Sequence, residues 1–496
     1  MTAPAPLALC DAASDIAHRV AELLSSPEQV ADTAHTAFAA LPPDVLQPAW
    51  QPASLLLGHP GIALLHTRCA RTDPRHAAVG HAHLAAAVTA ATDAGPAAVG
   101  DLVLPARLHA RAHGGYTRLL ARCAEVHAGF VRAHAARLVA RRQEHGPGLA
   151  YSDYDAISGL AGQARGLLAA ADHGDERCAQ VLRDVLGFLV GMTHPVRPAA
   201  GDGSQVPGWW CAPDRYLLPR DRAEFPKGDL NVGVAHGICG PLALLSLAHR
   251  SGHRVPGMRD AIRRMADWVL SVGHTDERGT QWPGRVAAYP EVTGEFGEPG
   301  EPRVPGEFGV PGALGEASAP SRQRRPSQET AVRSAPGWCY GTSGIAWTLH
   351  LAGQALDDHR MTMAAEDAIR ALVHRPRTPA VSVDPGFCHG RAGILHTVAR
   401  MAAVGASTEL WSAADGLAHE LVAEFDPRTP FGYRQALPPS SASKPAPHRV
   451  HHPGLLDGAA GIALVLADYA DARRGTACED ANGWEASGWD AAFLMS

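Results

Sequence analysis

The sequence lacks an apolar run long enough to span a membrane, and it lacks an excess of basic residues. A membrane-spanning helix needs roughly 18 or more consecutive apolar residues, and no run approaches that length. The net charge is −6, whereas a nucleic-acid-binding protein normally has a basic face. The first residues, MTAPAPLALCDAASD, also lack the basic stretch of an export signal. We therefore expect a cytoplasmic protein with no integral membrane segment and no nucleic-acid partner, which becomes membrane-associated only through other proteins.

Cysteine is scarce as well, and so are charged residues. Nine cysteines spread over 496 residues cannot form a dense disulfide framework, so we expect reduced thiols. Apolar residues make up 46% of the chain and charged residues 19%, which is enough apolar material for a large buried core. Two cysteines, Cys339 and Cys388, stand in matching phrases, whereas the others look like small buried residues.

What the chain does have is a repeat. Six Gly-x-x-Gly units each open an Ala- and Leu-rich run, and they begin at Gly58, Gly159, Gly237, Gly341, Gly390 and Gly458. Such runs favour helices that are buried on most sides. More polar helical stretches, such as the one from Met258, lie between the units and indicate an outer layer around an inner one.

A recurring helical unit predicts an all-α fold. We expect an α/α toroid of six to seven helical hairpins, with the Gly-x-x-Gly motifs opening its inner helices. The units are unevenly spaced, so a long gap can hide a hairpin whose inner helix lacks the glycines. An open solenoid is the structural alternative, and the few charges on the inner runs favour closure.

We expect one domain over residues 1–496 that contains two irregular stretches. Residues 284–336 are rich in Pro, Gly and Glu and have no helical period, which predicts a disordered insertion. Residues 437–450, which include LPPSSASKPAPH, predict a flexible loop. Both are interpreted as loops rather than domain boundaries because the repeat resumes after each.

The two matching cysteine phrases are WCYGTSGIAWTLHLAG and FCHGRAGILHTVARMA. Equivalent loops of neighbouring hairpins lie side by side at one end of a toroid, so Cys339, Cys388 and the adjacent His389 can converge. Two thiolates and one imidazole suit Zn²⁺ and leave its fourth position open, as in catalytic zinc sites. The alternative is that both cysteines only fill space in front of a helix.

An open zinc site of this type could activate water or accept an incoming thiol. Two thiolate ligands already place negative charge on the metal, so bound water is acidified less than at an all-histidine site. A bound substrate thiolate, by contrast, stays nucleophilic at neutral pH. The ligand set therefore leans toward thiol chemistry.

Four phrases, GWCYGTSGIA, GFCHGRAGIL, NVGVAHGICGPLALL and YDAISGLAGQARGLL, together resemble the lanthionine synthetase C-like family, the cyclases of class I lanthipeptides. The resemblance implies a double α-barrel with one zinc ion at one end of its inner ring. It implies intramolecular addition of precursor-peptide Cys thiols to dehydroalanine or dehydrobutyrine, which forms lanthionine and methyllanthionine thioether rings. The implied partners are a dehydrated precursor with leader and core, a separate dehydratase and a transporter complex.

The resemblance also implies a metal-ligand set and one substrate contact. By motif position, Cys339, Cys388 and His389 would bind the zinc. Family members often carry an Arg shortly before the first cysteine phrase, placed to meet the substrate. Arg333 is the candidate here, although SAPG stands between it and the motif and departs from the family pattern.

Three further residues match catalytic positions of the family. His236 matches the acid/base histidine, Asp155 its partner carboxylate and Tyr340 an active-site ring. A histidine with a pKa near neutrality can take the thiol proton and later return a proton to the enolate. Each position also has a structural alternative: backbone hydrogen bonding for His236, helix N-capping for Asp155 and packing for Tyr340.

Three other functions match parts of the sequence. A prenyltransferase-like zinc α/α-barrel takes its ligands from Asp, Cys and His, so the Cys339 phrase argues against it. A non-catalytic relative that binds a peptide or glutathione would not need His236 and Asp155. A carbohydrate-active α/α toroid needs paired carboxylates, which the first turns of most Gly-x-x-Gly phrases lack.

Overall fold

The structure, a computed structural model, describes residues 7–41, 50–198, 203–289, 337–376, 384–437, 448–475 and 488–496. Arg333 lies outside these ranges. In chain order, the helices are α1 (Leu7–Leu23), α2 (Pro27–Ala39), α3 (His59–Cys69), α4 (Arg75–Ala94), α5 (Pro96–Val99), α6 (Val103–His113), α7 (Thr117–His145), α8 (Tyr151–Tyr154), α9 (Leu160–Ala171), α10 (Glu176–Gly191), α11 (Pro219–Glu224), α12 (Cys239–Arg250), α13 (Met258–Ser271), α14 (Thr342–Leu356), α15 (His359–His374), α16 (Arg391–Val404), α17 (Thr408–Glu424) and α18 (Ala459–Arg474). Short 3₁₀ helices cover Gly100–Leu102, Pro213–Arg215 and Trp489–Phe493.

The strands are short and form antiparallel pairs at the loops. They are β1 (Asp229–Asn231) with β4 (Arg285–Ala287), β2 (His274–Asp276) with β3 (Gly279–Gln281), and β5 (Gln435–Leu437) with β6 (His448–Val450). The predicted insertion over 284–336 therefore begins too early, because β4 is paired with β1, and residues 290–336 lie outside the described ranges. The predicted loop over 437–450 starts and ends in strand, because Leu437 pairs with His448.

The inner helices of the described chain close into a ring. In ring order they are α3, α6, α9, α12, α14, α16 and α18, and α18 packs against α3 again. Each packs most extensively against one outer helix, and these are, in the same order, α4, α7, α10, α13, α15, α17 and α1. The predicted toroid is confirmed and the open solenoid is wrong, because the last inner helix contacts the first. Helix α6 is the inner helix without the glycine motif, and it lies in the long gap between Gly58 and Gly159.

Burial separates the two layers. All 11 residues of α3 are buried, because an inner helix faces the filled centre on one side and outer helices on the other. Outer helix α13 buries only one stripe, formed by Met258, Ala261, Ile262, Met265, Ala266 and Val269. Within the described ranges, every helix is too short or too polar to cross a membrane.

The second glycine of the motif lets a loop lie directly on the first turn of an inner helix. A Cβ atom at Gly344 would lie 2.1 Å from the carbonyl oxygen of Trp338, and one at Gly393 would lie 2.0 Å from that of Phe387. No side chain tolerates such a contact, so any other residue would push the loop away. The glycines thus hold the residue in front of each cysteine against its helix.

Backbone hydrogen bonds join the loops in front of neighbouring inner helices. From the loop before α9 round to the loop before α3, each loop donates to the next, so equivalent positions of these repeats come side by side at one end of the ring. The donor–acceptor pairs are Ala156–Ala235, Val234–Cys339, Cys339–Cys388, Cys388–Leu456 and Leu455–Leu56, with N···O distances of 3.1, 2.8, 3.0, 3.0 and 2.9 Å.

Residues 488–496 fill the centre of the inner ring. Trp489, Asp490 and Phe493 are all at most 1% exposed. Four inner helices bind this segment: Arg165 of α9 donates to the Ala492 carbonyl (3.0 Å), Trp347 of α14 donates to the Met495 carbonyl (2.9 Å), His396 of α16 bonds Asp490 (2.9 Å), and Asp468 of α18 accepts from Trp489 (2.7 Å). The ring therefore encloses a packed core rather than a channel.

Candidate active site

Cys339, Cys388 and His389 form a compact cluster at the loop end of the ring. Their candidate ligand atoms, two Sγ and one ring nitrogen, all lie within 4.8 Å of one another. A hydrogen bond from Cys388 lowers the pKa of the Cys339 thiol, although burial opposes that shift. The same contact raises the pKa of Cys388. A thiolate, a second thiol and an imidazole at this separation fit the donor set of a zinc site.

A buried carboxylate that could not be predicted from the sequence, Asp384, lies within ion-pair distance behind His389. Oδ2 of Asp384 lies 3.0 Å from Nε2 of His389, so Nδ1 is the nitrogen left to face the cysteines. Burial lowers the pKa of His389, but Asp384 and Cys339 outweigh this and raise it to about 12. Carboxylates commonly orient metal-binding histidines in this way.

Asp384 also shapes the loop that carries Cys388 and His389, the candidate ligands of the second cysteine phrase. Its Oδ1 accepts a hydrogen bond from Gly386 N (2.9 Å), and its carbonyl accepts one from Arg391 N (3.0 Å) at the start of α16. The available signal was the Asp-Pro-Gly turn sequence directly before the cysteine phrase. That signal predicts a turn, but it does not show that the second carboxylate oxygen reaches His389.

His236 and Asp155 form a hydrogen-bonded pair next to the cluster. His236 Nδ1 lies 2.6 Å from Asp155 Oδ2, and the side chain of His236 is 41% exposed whereas that of Asp155 is 1% exposed. Burial lowers the pKa of His236, but the hydrogen bond and charge of Asp155, together with the charge of Cys339, raise it above its usual value. Because Nδ1 is bonded to Asp155, Nε2 is the ring nitrogen left to exchange a proton with a ligand.

Asp155 is not the N-cap of α9, because that position is Gly159, but its side chain bonds the turn in front of the helix. Its Oδ1 accepts hydrogen bonds from the backbone N–H groups of Ile157 (3.1 Å), Ser158 (2.7 Å) and Gly159 (2.7 Å), while Oδ2 bonds His236. One oxygen thus shapes the turn before α9 and the other orients the histidine. The Asp155 carboxylate cannot rotate freely, because the turn holds its first oxygen.

Tyr340 lies between the histidine and the strand pair β1–β4. Its ring centroid is 6.1 Å from that of His236, and its hydroxyl accepts a hydrogen bond from Nδ2 of the buried Asn231 (3.4 Å). Burial raises the pKa of Tyr340, so its hydroxyl stays protonated at neutral pH. Gly233 permits this arrangement, because a Cβ atom there would lie 2.7 Å from the Tyr340 ring.

A buried ionic network holds β1 beside Tyr340. Asp229 accepts hydrogen bonds from Tyr151 (2.6 Å), Tyr216 (2.6 Å) and Nε of Arg285 (2.6 Å). The Arg285 guanidinium lies 4.3 Å from the centroid of the Phe225 ring. Asn231 and this network could not be predicted from the sequence, because their members come from segments that only the fold brings together.

Comparison with known proteins identifies the family. The model of the family described as lanthionine synthetase C-like protein matches residues 49–476. The chain belongs to this family. The cysteine, histidine and aspartate positions described above all lie within the region that the family model covers.

Two relatives of the family bear on the fold. Nisin biosynthesis protein NisC of Lactococcus lactis subsp. lactis is 22% identical over 244 residues, which are 49% of this chain and 48% of the relative. The chain thus aligns with about half the length of that curated relative. The solved structure of nisin cyclase matches with a TM-score of 0.62 at 18% identity, over 90% of this chain and 93% of that chain. The structural likeness shows the family's α/α toroid.

Proposed function

We propose that the protein is a zinc-dependent lanthipeptide cyclase. The observation that carries the proposal is that a cluster of two cysteines and one histidine lies beside a His–Asp pair in one ring of loops. A structural zinc site almost always has four protein ligands, whereas the described residues supply three candidate ligands here. The remaining position would be open to a substrate thiol.

The proposed reaction joins a Cys thiol of a dehydrated precursor peptide to the β-carbon of dehydroalanine or dehydrobutyrine. The S–H bond breaks, an S–C bond forms and a proton is added to the α-carbon, so no oxidant or reductant is required. Zinc held by Cys339, Cys388 and His389 would lower the pKa of the substrate thiol and keep its thiolate nucleophilic. The product is a thioether ring.

His236 is the proposed proton carrier. Because Nδ1 is bonded to Asp155, Nε2 is the atom that takes the thiol proton and returns a proton to the α-carbon of the enolate. The upward-shifted pKa keeps the imidazolium populated at higher pH, which suits the donor step. Tyr340 would form a wall of the same site, with its hydroxyl oriented by Asn231.

A model peptide tests the proposal directly. A peptide that contains one Cys and one dehydroalanine is incubated with the zinc-loaded protein, and N-ethylmaleimide then labels the remaining thiols for mass spectrometry. We expect the labelled fraction to fall much faster than in the protein-free control. If the protein only binds a peptide or glutathione, free thiols should disappear no faster than in the protein-free control. Repeating the assay with and without a leader segment measures what a leader contributes.

We expect Asp155→Asn to move the alkaline limb of the pH–kcat profile to lower pH. The Asp155 charge raises the pKa of His236, so removing that charge lets burial lower it. The proton donor is lost as pH rises through the pKa of His236, and a lower pKa brings this loss at lower pH. The measurement is kcat across pH for both proteins; an unmoved alkaline limb would show that another group donates the proton.

Asp384→Asn should weaken zinc binding by about 10- to 100-fold, because replacing a residue that supports a metal-binding histidine typically lowers metal affinity by this factor. The amide can still accept from Gly386, so the turn is preserved while the charge behind His389 is lost. Competition with a chromophoric chelator measures the affinity. Asp172→Asn is the matched control, since Asp172 pairs with His253 (2.8 Å) on the loop after α12, away from the cluster. Equal affinities in both variants would contradict the proposed role of Asp384.

A further inference from the structure

The two cysteine loops share a support that neither phrase contains. Trp338 and Phe387, the residues directly before Cys339 and Cys388, both contact Phe493 of the segment that fills the ring. The Phe387 and Phe493 rings are stacked with centroids 4.0 Å apart and an interplanar angle of 14°. The Trp338 ring meets Phe493 edge-on at 5.1 Å.

This three-ring cluster is fully enclosed. Trp338 is 1% exposed, and Phe387 and Phe493 are 0% exposed. Trp338 and Phe387 also lie 6.0 Å apart, so each of the three rings contacts both others. Aromatic pairs at these separations have preferred geometries, and a packed interior does not let one ring move alone.

The Phe493 ring is itself held in place by the inner helices. Asp490, three residues earlier, is buried, forms a hydrogen bond with His396 (2.9 Å) and forms an ion pair with Arg400 of α16. Trp489 donates to Asp468 of α18 (2.7 Å), and the Ala492 carbonyl accepts from Arg165 of α9 (3.0 Å). Contacts from three inner helices thus set the position of Phe493 independently of the cysteine loops.

Backbone contacts also hold the two loops. Val234 N donates to the Cys339 carbonyl (2.8 Å), and Cys388 N donates to the Leu456 carbonyl (3.0 Å). The second glycines Gly344 and Gly393 hold each loop against its own helix, and the hydrogen bond from Cys339 N to the Cys388 carbonyl (3.0 Å) joins the two. Metal–sulfur distances must be met to within about 0.2 Å. A shift of either loop by a fraction of an ångström therefore alters the geometry offered to a metal.

We propose that Phe493 is a positioning residue for the metal site: its ring, anchored in the centre of the toroid, sets the spacing of the Cys339 and Cys388 loops. The aromatic residue that precedes the cysteine in both phrases is then explained as the contact through which this spacing is set. The inference rests on the proposed function, which supplies the Zn²⁺ ion. It predicts the affinity of the site for that metal rather than the rate of the reaction.

The test compares Phe493→Ala with a control that has the same chemistry elsewhere. Phe431 is buried at 2% exposure and lies in the loop between α17 and β5, away from the three-ring cluster, so Phe431→Ala removes a buried phenyl group without touching that cluster. Zn²⁺ affinity is measured by chelator competition, Co²⁺ spectra report the thiolate ligation geometry, and circular dichroism with thermal unfolding reports the fold.

We expect Phe493→Ala to weaken Zn²⁺ binding by about 10-fold or more and to change the Co²⁺ spectrum, in line with the effect of residues behind metal ligands. Phe431→Ala should lower thermal stability while leaving affinity and spectrum as in the wild type. Phe493→Leu should recover part of the affinity, and it decides the matter if the Ala variant does not fold.

Three outcomes would overturn the inference. Wild-type affinity in the Phe493 variants would show that the loops keep their spacing without the ring. Equal loss of affinity in Phe493→Ala and Phe431→Ala would show a general effect of instability. A wild-type protein that binds no Zn²⁺ would overturn the proposed function as well, so failure of the two ideas is distinguishable.

Discussion

Replacing Cys339 or Cys388 with Ala is expected to reduce bound zinc from about one equivalent to near zero. The open site has three protein ligands, and each substitution removes one of the two thiolates that supply its negative charge. The remaining thiol and imidazole cannot complete the set, because the described structure brings no other candidate ligand into the group. Metal analysis of the purified proteins by mass spectrometry gives the stoichiometry.

The control for this experiment is a buried cysteine that is not a member of the cluster. Cys239, the first residue of α12, is 0% exposed and free, and burial raises its pKa. Cys239→Ala should therefore retain the wild-type zinc content. If zinc persists in both Cys339→Ala and Cys388→Ala, the matching cysteines only fill space in the fold. The proposed cyclase would then have no zinc site at these residues.

Replacing His236 with Ala is expected to slow cyclisation by about 100- to 10,000-fold, the usual contribution of a positioned acid/base group. Asp155 and the cluster stay in place, so zinc content should not change. The loss should appear in kcat, because the imidazole transfers the proton during the reaction and does not bind the peptide. Thiol labelling of the dehydrated peptide at saturating concentration measures it.

A matched His–Asp pair elsewhere in the chain is the control for this variant. His253 Nε2 lies 2.8 Å from Asp172, and His253 follows α12 whereas His236 precedes it. The 12-residue helix separates the two histidines by about 18 Å. His253→Ala should cyclise at the wild-type rate. A His236→Ala protein that cyclises as fast as this control would require a different proton carrier.

The candidate site could be predicted from the sequence wherever its residues belong to a repeated phrase. Cys339 and Cys388 occupy equivalent positions of neighbouring units, and a closed ring places equivalent loops side by side. The structure joins these two loops through Cys339 N and the Cys388 carbonyl (3.0 Å), and it brings the candidate ligand atoms within 4.8 Å. The pair His236–Asp155 came from the family resemblance, since no spacing in the chain relates them.

The residues that were missed lie outside the repeated phrases. Asp384 precedes its phrase in a turn, Asn231 belongs to a three-residue strand, and Phe493 lies in a segment with no repeat signal. Asn231 and Phe493 act through contacts with distant segments, whereas Asp384 acts on His389 within its own loop. Contacts of either kind leave no periodic pattern in the chain. The start of the Pro/Gly-rich stretch was misplaced for the same reason, because β4 is defined by its pairing with β1.

By itself, the sequence determined the helical repeat and the pairing of the two cysteine phrases, because helix periodicity and glycine spacing are local properties that repeat along the chain. It favoured a closed toroid, and the contact between α18 and α3 decided the closure. Only the tertiary structure decided which carboxylate lies behind His389, which oxygen of Asp155 faces His236, and which ring supports the cysteine loops. Those choices depend on how side chains pack in three dimensions, which neither the periodicity nor the spacing of the sequence specifies.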